Sequence, residues 1–183
     1  MHDIEAAAKH SVEMHDHAVC AYATEEELLA ALAAFVSEGL ARRELVVFVH
    51  AFDTEEAGWR FVERAAPGLD AGEREKVVVV SLYEAAFEGG SRRIDREHVG
   101  RVVEGLVARA QADGLAGTRI FVDASRRYFA GSRTSEWFEF ETWLGRRLQA
   151  KVGLVCAYQR SDIMRPDVLP EVLRTHAYRF DAP

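Results

Sequence analysis

The chain has 183 residues, 49% hydrophobic and 29% charged, the composition of a single soluble globular domain with a sizeable core. Its formal charge of −7 argues against direct nucleic-acid binding, which needs a concentrated basic surface, and its two cysteines are too few for a disulfide framework. No apolar run nears the roughly 20 residues that cross a bilayer, and "MHDIEAAAKHSVEMHDH" lacks the basic-then-apolar order of a secretory signal, so a cytoplasmic chain with no membrane partner is expected.

In chain order, short apolar runs alternate with longer amphipathic ones. "HAVCAYA" predicts a first strand, and Thr24 then caps a helix whose first turn holds Glu25, Glu26 and Glu27, favourable at the positive end of the dipole. Leu28, Leu29, Leu32, Phe35 and Val36 keep helical spacing as far as Gly39. "ELVVFVH" has the nearly continuous apolar character of a strand covered on both faces. "DTEEAGWRFVERAAPG" predicts a second helix, capped by Asp53 or Thr54 and stopped by Pro67-Gly68.

"KVVVVSLYEAAF" reads as a third strand, rich in β-branched residues. "GGSRRIDREHV" opens on a glycine loop, after which Asp95 starts a helix running to about Gly114. "TRIFVDAS" is the fourth strand, "TSEWFEFETWLGRRLQA" the fourth long helix and "VGLVCAYQ" the fifth strand. A short helix in "PDVLPEVLRTH" and a last strand, "AYRF", follow. Residues 1–14 read as an N-terminal extension and 15–183 as one domain. Such alternation predicts a three-layer α/β fold around a mainly parallel sheet of five or six strands. Ligands of such sheets bind beyond the strands' carboxyl ends, here at Tyr22, Ala23, His50, Ser81, Tyr83, Asp123, Ser125 and Tyr158.

Several chemistries are disfavoured. A phosphate loop needs GxxxxGK[ST] after the first strand, but "TEEELL" places three carboxylates there, and Lys9, Lys76 and Lys151 adjoin no glycine-rich turn. No GxGxxG or GxSxG occurs, and Cys20 and Cys156 lie within strands rather than on a sharp turn. His15, His17 and Cys20 are close in sequence, but strand alternation turns both histidines away from the cysteine. Glu141, Cys156 and His176 converge only if the fold brings them together, so no metal and no cofactor is assigned. Trp137, Phe140 and Leu144 share a helix face that packs on the sheet. Glu141 in that apolar helix either turns to solvent or enters a pocket with a partner.

"HAVCAYATEEELLAALAAFVSEGLARRE" resembles the opening of the MEDS domain, the methanogen/methylotroph sensory domain also found in a dichloromethane-responsive regulator. "GGSRRIDREHV", "GLAGTRIFVDAS", "FEFETWL", "LVCAYQR" and "VLRTH" resemble its later motifs in the same order, so the likeness spans roughly residues 15 to 178. "GLARRE" departs from it by lacking a second glycine before the glutamate, and "FVDAS" by carrying Asp123 without a methionine-type residue.

The resemblance implies a RecA/KaiC-like core that has lost its phosphate loop. It also implies a sensory role toward hydrocarbon-like or one-carbon compounds, without catalysis, and a regulatory protein partner: a histidine kinase, an anti-sigma factor or a transcription regulator. The positions it carries over are His17, Cys20, Tyr22, Arg119, Glu141, Cys156, Tyr158 and His176, and the strand-end Asp123 joins them as a ligand-site candidate. A RecA-like strand order would set the fifth strand beside the first, about 4.8 Å away. The two Val-Cys-Ala-Tyr copies would then lie side by side, Cys20 near Cys156 and Tyr22 near Tyr158, facing one pocket. With no room for a separate effector domain, the signal is expected to pass in trans, with a homodimer as one arrangement. The competing readings are a protein-interaction module with a vestigial pocket and a thiol- or metal-dependent hydrolase.

Overall fold

The β-branched runs form the middle of the molecule and the stretches of helical spacing cover them. A computed structural model describes residues 7–9, 11–14, 16–86, 94–124, 134–148 and 152–180. Its strands are β1 (Ala7–Lys9), β2 (His17–Tyr22), β3 (Glu44–His50), β4 (Val77–Ser81), β5 (Gly117–Asp123), β6 (Val152–Gln159) and β7 (Tyr178–Phe180). They make one sheet in the order β1-β7-β2-β6-β5-β3-β4, and every pairing is parallel. The fifth expected strand does lie beside the first, as β6 against β2.

The sheet has one strand more than expected. The addition, β1, comes from the region read as an extension and pairs with the three-residue β7, so the unpaired backbone groups of that short strand gain a partner. Every residue of β3 is buried, as a parallel sheet covered on both faces requires.

On one face lie α1 (Glu25–Ala41) and α2 (Glu55–Ala65), packing Leu28, Leu32, Phe35, Phe61 and Val62 against Val46, Phe48 and Phe121. On the other lie α4 (Leu82–Ala86), α5 (Arg96–Ala112), α6 (Thr134–Leu148), α7 (Arg160–Ile163) and α8 (Leu169–Thr175), packing on Val47, Val49, Ile120, Val122 and Leu154. The single turn α3 (Ala71–Arg74) links α2 to β4 and closes on a capping box from Asp70 and Glu73. The architecture is the expected three-layer α/β fold.

The caps follow from the sequence. Thr24 accepts from the Glu27 amide at 3.2 Å, Thr54 from Ala57 at 3.2 Å and Asp95 from His98 at 2.9 Å, each contact stabilising its helix by about 1 kcal/mol. The third strand ends sooner than expected, because the Ser81 hydroxyl accepts from the Tyr83 amide and the chain enters α4. The glycine missing before Glu44 also has a structural counterpart. Arg43 stands there with φ of 59°, a left-handed conformation that a glycine adopts without strain. Among the described residues no helix is long and apolar enough to cross a membrane.

Candidate functional site

Register decides which side chains meet. In the β2–β6 ladder Val19 pairs with Cys156, Cys20 with Ala157, Ala21 with Tyr158 and Tyr22 with Gln159. The two Val-Cys-Ala-Tyr copies are therefore adjacent but offset by one residue. Because side chains alternate, a one-residue offset sends the two sets to opposite faces. Cys156 and Tyr158 enter the core beneath α5 and α6, while Cys20 and Tyr22 enter the core beneath α1 and α2. The expectation of one pocket shared by both copies is thus corrected: the strands meet and the pairs of side chains do not.

The same register gives Cys156 a different companion. His17 pairs with Leu154, two residues before Cys156, and so shares its face. His17 Nε2 lies 3.5 Å from Cys156 Sγ. Glu141 reaches the spot from α6 and His176 from the residue after α8, with His176 Nε2 3.7 Å from Glu141 Oε2 and both side chains fully buried. The rings of His17 and His176 are 4.3 Å apart. Of the two options open for Glu141, the structure takes the inward one. Trp137 and Leu144, at i−4 and i+3, hold that face of α6 on the sheet.

A relay orients the carboxylate. Trp137 Nε1 donates to the Tyr158 hydroxyl at 2.7 Å, and Tyr158 donates to Glu141 Oε1. On the far side, Val172 O accepts from His176 Nδ1 at 2.9 Å, and Thr175 Oγ1 lies 2.8 Å from the same nitrogen. A carbonyl cannot donate, so Nδ1 carries a proton and donates it to Val172 O, which fixes the ring with Nε2 turned toward the cluster. Burial, and then the neighbouring His176, hold His17 well below the usual histidine range, which keeps it neutral. Burial, and then Glu141, push the Cys156 thiol well up, and the same two causes push up Tyr158. A thiol so placed is the opposite of an activated nucleophile.

Beside this cluster lies a cavity of about 50 Å³ between the sheet and α4, α5 and α6. Val49, Val103, Ile120, Val122, Phe140 and Leu144 contribute to an apolar lining, with Glu141 and Cys156 as its polar members. On the sheet side the cavity is lined by Val47 and Val49 of β3, Val80 of β4, Ile120 and Val122 of β5, and Leu154 and Cys156 of β6. For scale, an engineered apolar cavity of roughly 150 Å³ admits benzene. The space here suits a molecule of a few heavy atoms.

The remaining candidates lie across the sheet. Arg119 is 1% exposed. Its Nε donates to Glu44 at 2.5 Å, Nη1 to Glu38 at 2.9 Å and to Phe35 O at 3.1 Å, and Nη2 to Val12 O at 3.2 Å. Its guanidinium also stacks 4.8 Å from the Phe35 ring centroid. Tyr22 donates to Asp123 Oδ1 at 3.0 Å, at the carboxyl ends of β2 and β5. The structure therefore gathers His17, Glu141, Cys156, Tyr158 and His176, and it separates Cys20, Tyr22, Arg119 and Asp123 from them. His15, Ser125 and the "GGSRR" loop lie outside the described residues.

A family model for the methanogen/methylotroph, DcmR sensory domain (MEDS) matches residues 16–177. The chain belongs to the MEDS family. No curated protein matches it in sequence. The family is a sensory one, and a sensory or signalling role goes with membership. The MEDS match begins one residue before His17 and ends one residue after His176, so both cluster histidines fall just within its limits. Reading the motifs alone missed Trp137 and Val103 as site residues, since an aromatic and a valine at helical spacing look like any other core. Trp137 had one available signal: it lies four residues before Glu141, on the same stripe.

Proposed function

We propose that this MEDS chain is a non-catalytic sensor whose ligand is a small apolar molecule, of hydrocarbon-like or one-carbon class, bound in the cavity under α5 and α6. The signal then passes in trans to a regulatory protein: a histidine kinase, an anti-sigma factor or a transcription regulator. The observation that carries this reading is the cavity itself. It is apolar on nearly all sides, it is sized for a few heavy atoms, and it places Glu141 and Cys156 where a ligand's polar end would lie. Small-molecule sites commonly combine an apolar wall with a few fixed polar groups. The raised Cys156 thiol supports sensing over thiol catalysis. The α5–α6 layer covers the cavity, so a ligand would act on the packing of that layer.

Thermal unfolding in buffer equilibrated with dichloromethane tests the proposal. A ligand at 100 times its Kd stabilises the fold by about 2.7 kcal/mol, so the midpoint of the unmodified chain should rise. Val103→Met, which fills the cavity, should abolish the rise. Tyr158→Phe and Cys156→Ser should change its size while leaving the fold intact. A rise that survives Val103→Met, or no rise with dichloromethane, methanol or xenon, contradicts the proposal.

A further inference from the structure

We infer that His17, Glu141, Cys156 and His176 form a binding site for one divalent transition-metal ion, zinc by its donor set. Their ligand atoms all lie within 4.8 Å of one another, and all four residues are buried. A tetrahedral ion bound at 2.0–2.3 Å holds its donors roughly 3.3–3.8 Å apart. Two of the distances fall in that range already, at 3.5 Å for His17 Nε2 to Cys156 Sγ and 3.7 Å for His176 Nε2 to Glu141 Oε2.

Three further features point to a cation. Glu141 Oε2 and His176 Nε2 are buried with no hydrogen-bond partner among the described residues, although such atoms are costly to leave unsatisfied. Their other atoms are held from outside. Tyr158 donates to Glu141 Oε1, and His176 Nδ1 donates to Val172 O. This is how second-shell groups fix a carboxylate and an imidazole as ligands. Charge balance gives the third. One thiolate, one carboxylate and two neutral imidazoles cancel a divalent ion completely, so the occupied site would be neutral in an apolar core. On binding, the Cys156 proton leaves to solvent and the sulfur coordinates as thiolate.

The donors also select among cations. Two nitrogens, one sulfur and one oxygen suit zinc, whereas calcium and magnesium take oxygen ligands. Four protein donors fill a tetrahedron, the pattern of a structural rather than a catalytic centre. The four come from β2, α6, β6 and the residue after α8. The ion would therefore tie two central strands, the cavity-covering helix and the C-terminal segment to one point. Local sequence could not show this, since successive donors lie 15 to 124 residues apart along the chain.

Cobalt substitution tests the site. The purified chain, kept reduced and stripped of metal, is titrated with Co²⁺ and followed by absorption. One equivalent per chain should give the visible bands of a four-coordinate centre and a near-ultraviolet thiolate-to-cobalt band. Zn²⁺ should displace it. Cys156→Ala should remove the thiolate band and His176→Gln should weaken uptake, while Cys20→Ala, across the sheet, should leave the spectrum unchanged. Circular dichroism of each variant separates loss of a ligand from loss of the fold. No uptake by the folded chain, uptake without a thiolate band, or a band that follows Cys20 instead of Cys156 overturns the inference. The metal site and the sensory reading fail separately: Val103→Met should abolish the dichloromethane response and keep the cobalt spectrum.

Discussion

The two faces of the central sheet receive the same four-residue sequence and put it to different uses. Beneath α1 and α2, buried charge is consumed by the fold. Arg119 reaches four protein acceptors at once, and Tyr22 is tied to Asp123. Beneath α5 and α6, Tyr158 orients the Glu141 carboxylate, and Glu141 and Cys156 border a cavity. The difference shows that a motif's role in a sheet is set by its register as much as by its residues. One residue of offset between β2 and β6 turns a matched pair into two unrelated sites.

The largest effect that would sharpen this contrast comes from Arg119→Leu. It leaves Glu44, 5% exposed, without its guanidinium, and breaking a buried ion pair in this way costs about 3–5 kcal/mol. Chemical denaturation should show that loss. The variant that remains folded should keep the dichloromethane response and the cobalt spectrum, and loss of either from a folded variant would break the separation of the faces.

A smaller effect comes from pH on the same network. Partial burial works to raise Glu38, but hydrogen bonds from Arg119 and Ser11, with the charges of Arg119 and Arg42, hold it below the usual carboxylate range. A carboxylate depressed in the folded state contributes stability that is present above its unfolded value and lost as pH falls through the folded one. Denaturation midpoints should therefore separate the unmodified chain from Glu38→Gln at neutral pH. The gap should close below the usual glutamate value of about 4.3. A gap that stays constant into acid would assign Glu38 no ionic part in the network.

Much of the fold was legible because its signals are local. Thr24, Thr54 and Asp95 capped where the sequence placed them, and the apolar runs became strands. The inward turn of Glu141 was half legible: its spacing from Trp137 and Leu144 put it on the packed stripe, but Tyr158, its partner, came from another strand. Register was not legible. Both Val-Cys-Ala-Tyr copies have the same alternation, and their offset is fixed by remote contacts. The Leu154 amide donates to Asp16 O at 2.9 Å, and Gly153 sits so close to Glu13 O that a Cβ would lie 2.9 Å away. No short window of sequence contains those constraints.

The central claim, that ligand sensing belongs to the α5–α6 face alone, is tested most directly by methyl-resolved NMR during titration with dichloromethane. The account predicts saturable shifts at Val103, Ile120, Val122 and Leu144, with Leu28, Leu32 and Val46 unmoved. Shifts centred on the α1 face, or spread equally over both, would contradict it.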